Sequence, residues 1–199
     1  MIDLSRTPLT YLITKGDATA ERFEANSKDI LSVVANAVNT GISMVQIREK
    51  NITIKQLFQL ARDAATLVSG SQTKLLINSR ADVAIAAGAD GVHLPEDGVP
   101  VAAVRSIFPT PFLIGASVHS HEAACTAKND GADFVLFGPV FDTPGKQGVG
   151  IEPLRETCLA LGDFPVLAVG GIDASNKASV LEGGACGYAA IRYLNDDLQ

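Results

Sequence analysis

Side chains able to handle anions or protons stand at the ends of apolar runs along this chain. "MVQIREK" (44–50) carries Gln46, Arg48 and Lys50 at every second position, and "LLINSR" reaches Asn78. "GVHLPEDG" holds His93, then Glu96 and Asp97, while "IGASVHS" presents Ser117 and His119. "GPVFDTPGKQGVG" (138–150) carries Thr143 and Lys146, "AVGGID" carries Gly170 and Gly171, and "GYAAIRYL" reaches Ile191 and Arg192. Together these offer cations for an anionic ligand, imidazoles for proton transfer, and paired glycines whose N–H groups can approach a phosphate closely.

Each group also has a plainer reading. Gln46 and Arg48 share one strand face, with Lys50 following them, and Val45 and Ile47 the other, so three long polar groups face the mouth end of the run. That is costly without a ligand or partner. In the competing reading Arg48 and Glu49 form a solvated loop pair. The glycine pair could serve turn geometry alone, and Lys146 could be an exposed loop lysine under no functional demand. The loop around Lys146 otherwise reads as a mobile cover that brings an ammonium over an anion. His119, just past a strand end, is best placed for general acid/base work near neutral pH, although an isolated histidine is more often structural. His93 reads as a structural or substrate-contacting residue, and His121 falls on the following helix. No Ser-His-Asp order and no metal-ligand spacing of histidines occurs.

The elements that must position these groups are short. Eight apolar runs suit buried parallel strands: 9–14, 44–48, 74–78, 91–94, 112–117, 134–140, 165–171 and 187–192. Amphipathic stretches such as "KDILSVVANAVNTG" and "IKQLFQLARDAATLVSG" separate them. An internal echo, "AAGADGVHL", "NDGADFVLF" and "EGGACGYAA", joins helix end to strand in the same way three times. Eight such units without a linker predict an α/β fold, a single compact (β/α)8 TIM barrel over residues 1–199. The phosphate-holding loops of that fold often follow its last two strands, which favours phosphate at Gly170, Gly171, Ile191 and Arg192. An open doubly wound sheet would ask for a glycine-rich fingerprint after the first strand, and "LITKGDATAERF" has one glycine. After the last run only "YLNDDLQ" remains. The eighth helix is therefore expected to be stunted or absent, leaving a flank that a homodimer or higher homo-oligomer could cover.

With 199 residues, 47% apolar and 19% charged, the composition is that of a globular enzyme. The net charge of −6 and the lack of basic runs exclude a broad nucleic-acid footprint. No signal-like start or membrane-length apolar run is present, so a cytoplasmic protein is expected. Cys125, Cys158 and Cys186 lack C-x-x-C pairing and read as small hydrophobes.

"QIREK", "LINSRADVAIAAGADGVHLP", "IGASVHS", "FGPVFDTPGK" and "PVLAVGGI" together resemble the thiamine phosphate synthase superfamily, in order along nearly the whole chain. That resemblance implies one of two enzymes: a synthase that joins a pyrimidine diphosphate to a thiazole phosphate with magnesium, or a thiazole tautomerase (TenI-like). The synthase pattern has aspartates where this chain has Ser79 and Gly98, and a second Thr where it has Gly145. Ser and Gly cannot replace two hard anionic ligands. The departures, with "SVHS", point to the tautomerase, an isomerase aromatising a dihydrothiazole carboxylate phosphate with His119 as acid/base. In that reading Gln46, Arg48, Lys50, Asn78, His93, Ser117, Thr143 and Lys146 contact the substrate, Gly170, Gly171, Ile191 and Arg192 hold its phosphate, and no metal or other cofactor is needed. The partner would be a small phosphorylated thiazole, with no nucleic acid and no membrane. The synthase, which would bring Mg²⁺, and a non-catalytic thiazole-phosphate-binding module are the alternatives.

Overall fold

The computed structural model describes residues 8–196. The first seven residues, on which part of the reading of the N-terminus rests, and the last three of "YLNDDLQ" lie outside these. Strand and helix alternate eight times: β1 (Leu9–Ile13), α1 (Phe23–Asn39), β2 (Met44–Ile47), α2 (Ile54–Val68), β3 (Lys74–Asn78), α3 (Ala81–Ala87), β4 (Gly91–Leu94), α4 (Val101–Ile107), β5 (Leu113–Val118), α5 (His121–Asn129), β6 (Phe134–Phe137), α6 (Ile151–Leu161), β7 (Val166–Val169), α7 (Lys177–Glu182), β8 (Gly187–Ala190) and α8 (Arg192–Asp196). The strands pair in parallel, in chain order, and β8 closes on β1 to complete a barrel. No described helix is long and apolar enough to cross a membrane.

Period-two alternation sorts the strand residues into two cores. Leu9, Tyr11, Ile13, Met44, Leu76, Leu113, Phe134, Leu136, Leu167 and Ala189 fill the barrel interior. Val45, Ile47, Leu75, Ile77, Val92, Ile114, Val135 and Ala168 face outward into the layer shared with the helices. Helix α2 shows the matching helical period, burying Leu57, Leu60, Ala61, Ala64 and Val68, and begins with a Thr53/Gln56 capping box. Of the run ending at residue 140, β6 takes only Phe134–Phe137; Pro139 brings no N–H to a ladder, while Gly138 N and Val140 N still donate to Val118 O and Val169 O.

The threefold sequence echo has a common structural cause at the strand starts. Asp90, Asp133 and Cys186 each donate a backbone N–H to the preceding strand, at Leu75 O, Ile114 O and Val166 O. The side chains then close the same corner. Asp90 accepts from Leu75 N (2.9 Å) and Lys74 Nζ (2.9 Å). Asp133 accepts from Ile114 N (2.7 Å) and Arg105 Nη2 (2.6 Å). Cys186 Sγ instead donates to Val166 O at 3.3 Å. Arg105 also reaches the carbonyls of Gly131, Phe108 and Phe112, so one guanidinium ties α4, α5 and β5 together.

At the opposite end Glu49 closes the β1–α1 loop. Its carboxylate is buried and accepts from Thr14 Oγ1 (2.5 Å), Gly16 N (3.1 Å) and Ala18 N (3.0 Å). The solvated Arg48–Glu49 pair offered as the plainer reading is therefore absent: Glu49 is structural and points away from solvent. Helix α8 is the five-residue stub expected. Its buried Asn195 donates to Ile13 O (2.8 Å) and Ile191 O (2.6 Å), fastening the stub to the end of β1.

Asp133→Ala strands the Ile114 N–H and leaves Arg105 its carbonyl partners but no counter-charge, and is expected to lower unfolding free energy by roughly 2–4 kcal/mol. Glu49→Ala, which orphans two loop N–H groups, should cost about 2–3 kcal/mol. Glu152→Ala, which removes the exposed i,i+3 pair with Arg155, should stay within about 0.5 kcal/mol of the parent. Urea unfolding of the three variants checks this order.

Candidate functional site

The barrel interior is plugged by Tyr11 and Phe134, both fully buried, with edge-on rings 5.7 Å apart. Above them the inward positions turn polar. Gln46 lies 1% exposed and donates to Tyr11 Oη at 3.1 Å. The hydroxyl of Tyr11 is pushed far above its ordinary pKa by burial, so it stays a neutral hydrogen-bonding group. His93 stands beside it, and its Nε2 meets Ser117 Oγ at 2.9 Å. Burial, and after it the nearby Arg48 charge, push the His93 pKa down to about 3, so the ring is a neutral imidazole at working pH.

Over this floor opens a cavity of about 700 Å³ at the C-terminal ends of the strands. It gathers Gln46, Arg48 and Lys50 from the end of β2, Asn78 from β3, His93 from β4, Ser117 and His119 from β5, and Thr143 and Lys146 from the loop after β6. A second cavity of about 780 Å³ adjoins it and shares Thr143, Gly170 and Ile191, adding Gly171 and Arg192. All the residues singled out from sequence thus lie around one mouth. Gly170 and Gly171 both have left-handed backbone (φ 101° and 65°). A Cβ at either position would come within 2.7 Å of the β6–α6 loop, so the close approach needs glycine.

That loop is laced, not an open flap as a mobile cover would be. Val140 N and Phe141 N donate to Val169 O and Gly170 O, while Thr143 and Lys146 exchange backbone hydrogen bonds of 2.9 and 3.0 Å at its tip. Asp142 Oδ1 accepts from Gly148 N at 2.7 Å. Lys146 is therefore held above the cavity by a hairpin-like frame.

The rim beside β4 carries two carboxylates that strict motif positions miss. Gly98 N donates to Pro95 O (2.9 Å), closing a four-residue turn with Glu96 and Asp97 at its corners. Both line the first cavity, with Arg48, Lys50 and Lys146. Glu96 Oε1 accepts from His119 N at 3.3 Å, and Glu96 Oε2 lies 3.8 Å from His119 Nε2. His119 Nδ1 also contacts Gly138 O. Next to the rim Ser79 has φ 61°, its N donating to His93 O (2.8 Å) and its Oγ accepting from Asn78 Nδ2 (2.9 Å). This leaves the Asn78 amide oxygen for another partner.

Among the described residues no three His, Cys, Asp or Glu side chains form an all-protein metal cage. Magnesium bound with a diphosphate does not require one: one or two carboxylates suffice when phosphate oxygens and waters complete the octahedron. Glu96, Asp97 and the Asn78 carbonyl oxygen are hard donors of that kind, so the residues fit such an ion. Cys125, Cys158 and Cys186 are free thiols; Cys158 is buried as expected and the other two are half-buried. Burial pushes the thiols of Cys158 and Cys186 up to about 11.

Comparison with known proteins corrects the enzymatic expectation. A Roseiflexus castenholzii protein named thiamine-phosphate synthase is 36% identical over 187 residues, covering 92% of this chain and 79% of its own. A Methanosarcina barkeri protein of the same name is 42% identical over 168 residues, covering 82% of this chain and 76% of its own. The solved thiamine phosphate pyrophosphorylase from Pyrococcus furiosus superposes with a TM-score of 0.81 at 28% identity, covering 98% of this chain and 94% of that one. These relatives overturn the tautomerase reading and with it the role of His119 as the acid/base of an aromatisation. Ser79 and Gly98 replace two acidic positions, but Glu96 and Asp97, whose closeness in sequence allowed a shift of register, stand at the same rim on the turn that Gly98 closes. Residues 10–194 match the family model described as thiamine monophosphate synthase, and with relatives this similar over most of its length the chain belongs to that family.

Proposed function

We propose that this protein is a thiamine-phosphate synthase, a transferase acting in the cytoplasm that joins a hydroxymethylpyrimidine diphosphate to a thiazole phosphate and releases diphosphate. The observation that carries the reading is a barrel mouth built for two anions: cations Arg48, Lys50 and Lys146 ring one cavity, and the Gly170–Gly171 backbone opens the adjoining one.

The roles follow from charge and place. In the transfer, the bond from the pyrimidine's methylene carbon to diphosphate oxygen breaks as a thiazole ring nitrogen bonds to that carbon, so negative charge grows on the departing diphosphate. Arg48, Lys50 and Lys146, which line the mouth, meet that charge. Backbone N–H groups at Gly170, Gly171 and Ile191, with the Arg192 guanidinium, hold the thiazole phosphate in the second cavity. Thr143, shared by both cavities, stands where the two substrates meet. Gln46 and Asn78 orient polar edges of the pyrimidine side. Glu96, Asp97 and Asn78 would hold Mg²⁺, which when bound supplies charge neutralisation for the diphosphate. The laced loop carrying Lys146 shields the reacting carbon from hydrolysis.

Incubating the purified protein with both phosphorylated halves and Mg²⁺ should yield thiamine phosphate and diphosphate by chromatography; no product at any Mg²⁺ concentration refutes the assignment. Arg48→Ala is expected to lower kcat/KM by about 100-fold, as loss of a preorganised charge clamp does. Glu96→Ala should raise the Mg²⁺ concentration needed for half-maximal rate by at least about tenfold, and EDTA should abolish turnover of the parent.

A further inference from the structure

His93 and Ser117 form a buried pair whose proton arrangement the surroundings restrict. The imidazole is 2% exposed. It sits between Tyr11 and Phe134, with ring centroids 5.8 and 6.0 Å away. Strand register sets His93 opposite Gly115, and the absence of a side chain there makes room for the ring: a Cβ at 115 would lie 2.7 Å from His93 Nδ1. That nitrogen is buried and has no hydrogen-bond partner among the described residues. The other, Nε2, meets Ser117 Oγ at 2.9 Å.

A neutral imidazole carries one N–H, which leaves two arrangements. With the proton on Nδ1, a buried N–H is orphaned against the backbone of Gly115. With the proton on Nε2, the N–H is used and only a lone pair is left unpaired, which buried sites tolerate better than an orphaned donor. In the second arrangement Ser117 Oγ is an acceptor toward His93, so its own O–H is free to turn toward the cavity that Ser117 lines. This is the reverse of a nucleophile pair, in which the hydroxyl gives its proton to the imidazole.

We propose that His93 is a positioning residue: by donating its Nε2–H to Ser117 it fixes the Ser117 hydroxyl as a proton donor to a negatively charged oxygen of the ligand bound in the barrel mouth. The choice of a diphosphate oxygen for that ligand rests on the synthase reading. Ser117 then adds a directed hydrogen bond to the diffuse attraction of Arg48 and Lys146, and His93 never exchanges a proton with substrate.

Two measurements on the full chain test this. Long-range ¹H–¹⁵N spectra of ¹⁵N-labelled protein should show His93 with a protonated Nε2 and a bare Nδ1; a protonated Nδ1 overturns the proposal. Calorimetry with inorganic diphosphate and Mg²⁺ should show Ser117→Ala and His93→Leu each weakening binding by about 10- to 100-fold. The double variant should be no weaker than Ser117→Ala alone, and His93→Gln, which can present an amide N–H to the serine, should recover most of the loss. Additive effects overturn the proposal, as does a His93→Gln variant that binds no better than His93→Leu. Should His93→Leu not fold, the wild-type spectrum and the Ser117→Ala and His93→Gln titrations still decide. Failure of the parent to couple the two halves would count against the synthase assignment alone, since the tautomer and diphosphate binding are read without turnover.

Discussion

Closing eight parallel strands of four to six residues into a ring sends every second side chain into a narrow interior. Large apolar groups can fill it only over part of its height. Here Tyr11, Phe134 and their leucine and methionine neighbours occupy the lower part. The inward positions above, Gln46, His93 and Ser117, must be polar if they are to face a ligand and must be paired if they are not to penalise the fold. The hydrogen bonds between Gln46 and Tyr11 and between His93 and Ser117 satisfy that demand from within the barrel. The mouth inherits its geometry from this pairing.

A division of labour between the two ends of the barrel follows. At the strand starts, carboxylates serve corners, as Asp90 and Asp133 do against the neighbouring strand. At the strand ends, cations remain available: Arg48, Lys50 and Lys146 line the cavity, and the buried acid nearest to them in sequence, Glu49, is spent on the β1–α1 loop. In an acidic protein of net charge −6, three cations thus line the first cavity together with the rim carboxylates Glu96 and Asp97.

Much of this was legible in the sequence because it depends on local periods. The runs at 74–78 and 91–94 coincide with β3 and β4, and the inward direction of Gln46 and Arg48 follows from alternation alone. What was not legible depends on contacts far apart in the chain. Glu49 reads as a loop acid because its partners, Thr14, Gly16 and Ala18, are more than thirty residues away. The Gly-Ala-Asp echo signals a repeated turn, but the carboxylate's grip on the preceding strand appears only once strands are side by side. The two enzymatic branches differ at Ser79 and Gly98, and the sequence, although it sets Glu96 and Asp97 beside Gly98, does not show that the Pro95–Gly98 turn brings both to the cavity.

The corner carboxylates at the strand starts bear on how such a chain can change over time. Asp90, Asp133 and Arg105 secure the framework at the end remote from the rim, so an exposed rim position that holds no other loop, such as Asp97, can be replaced without loosening those corners. Glu49, Gly170 and Gly171 have no such latitude, because each is tied to a neighbouring loop.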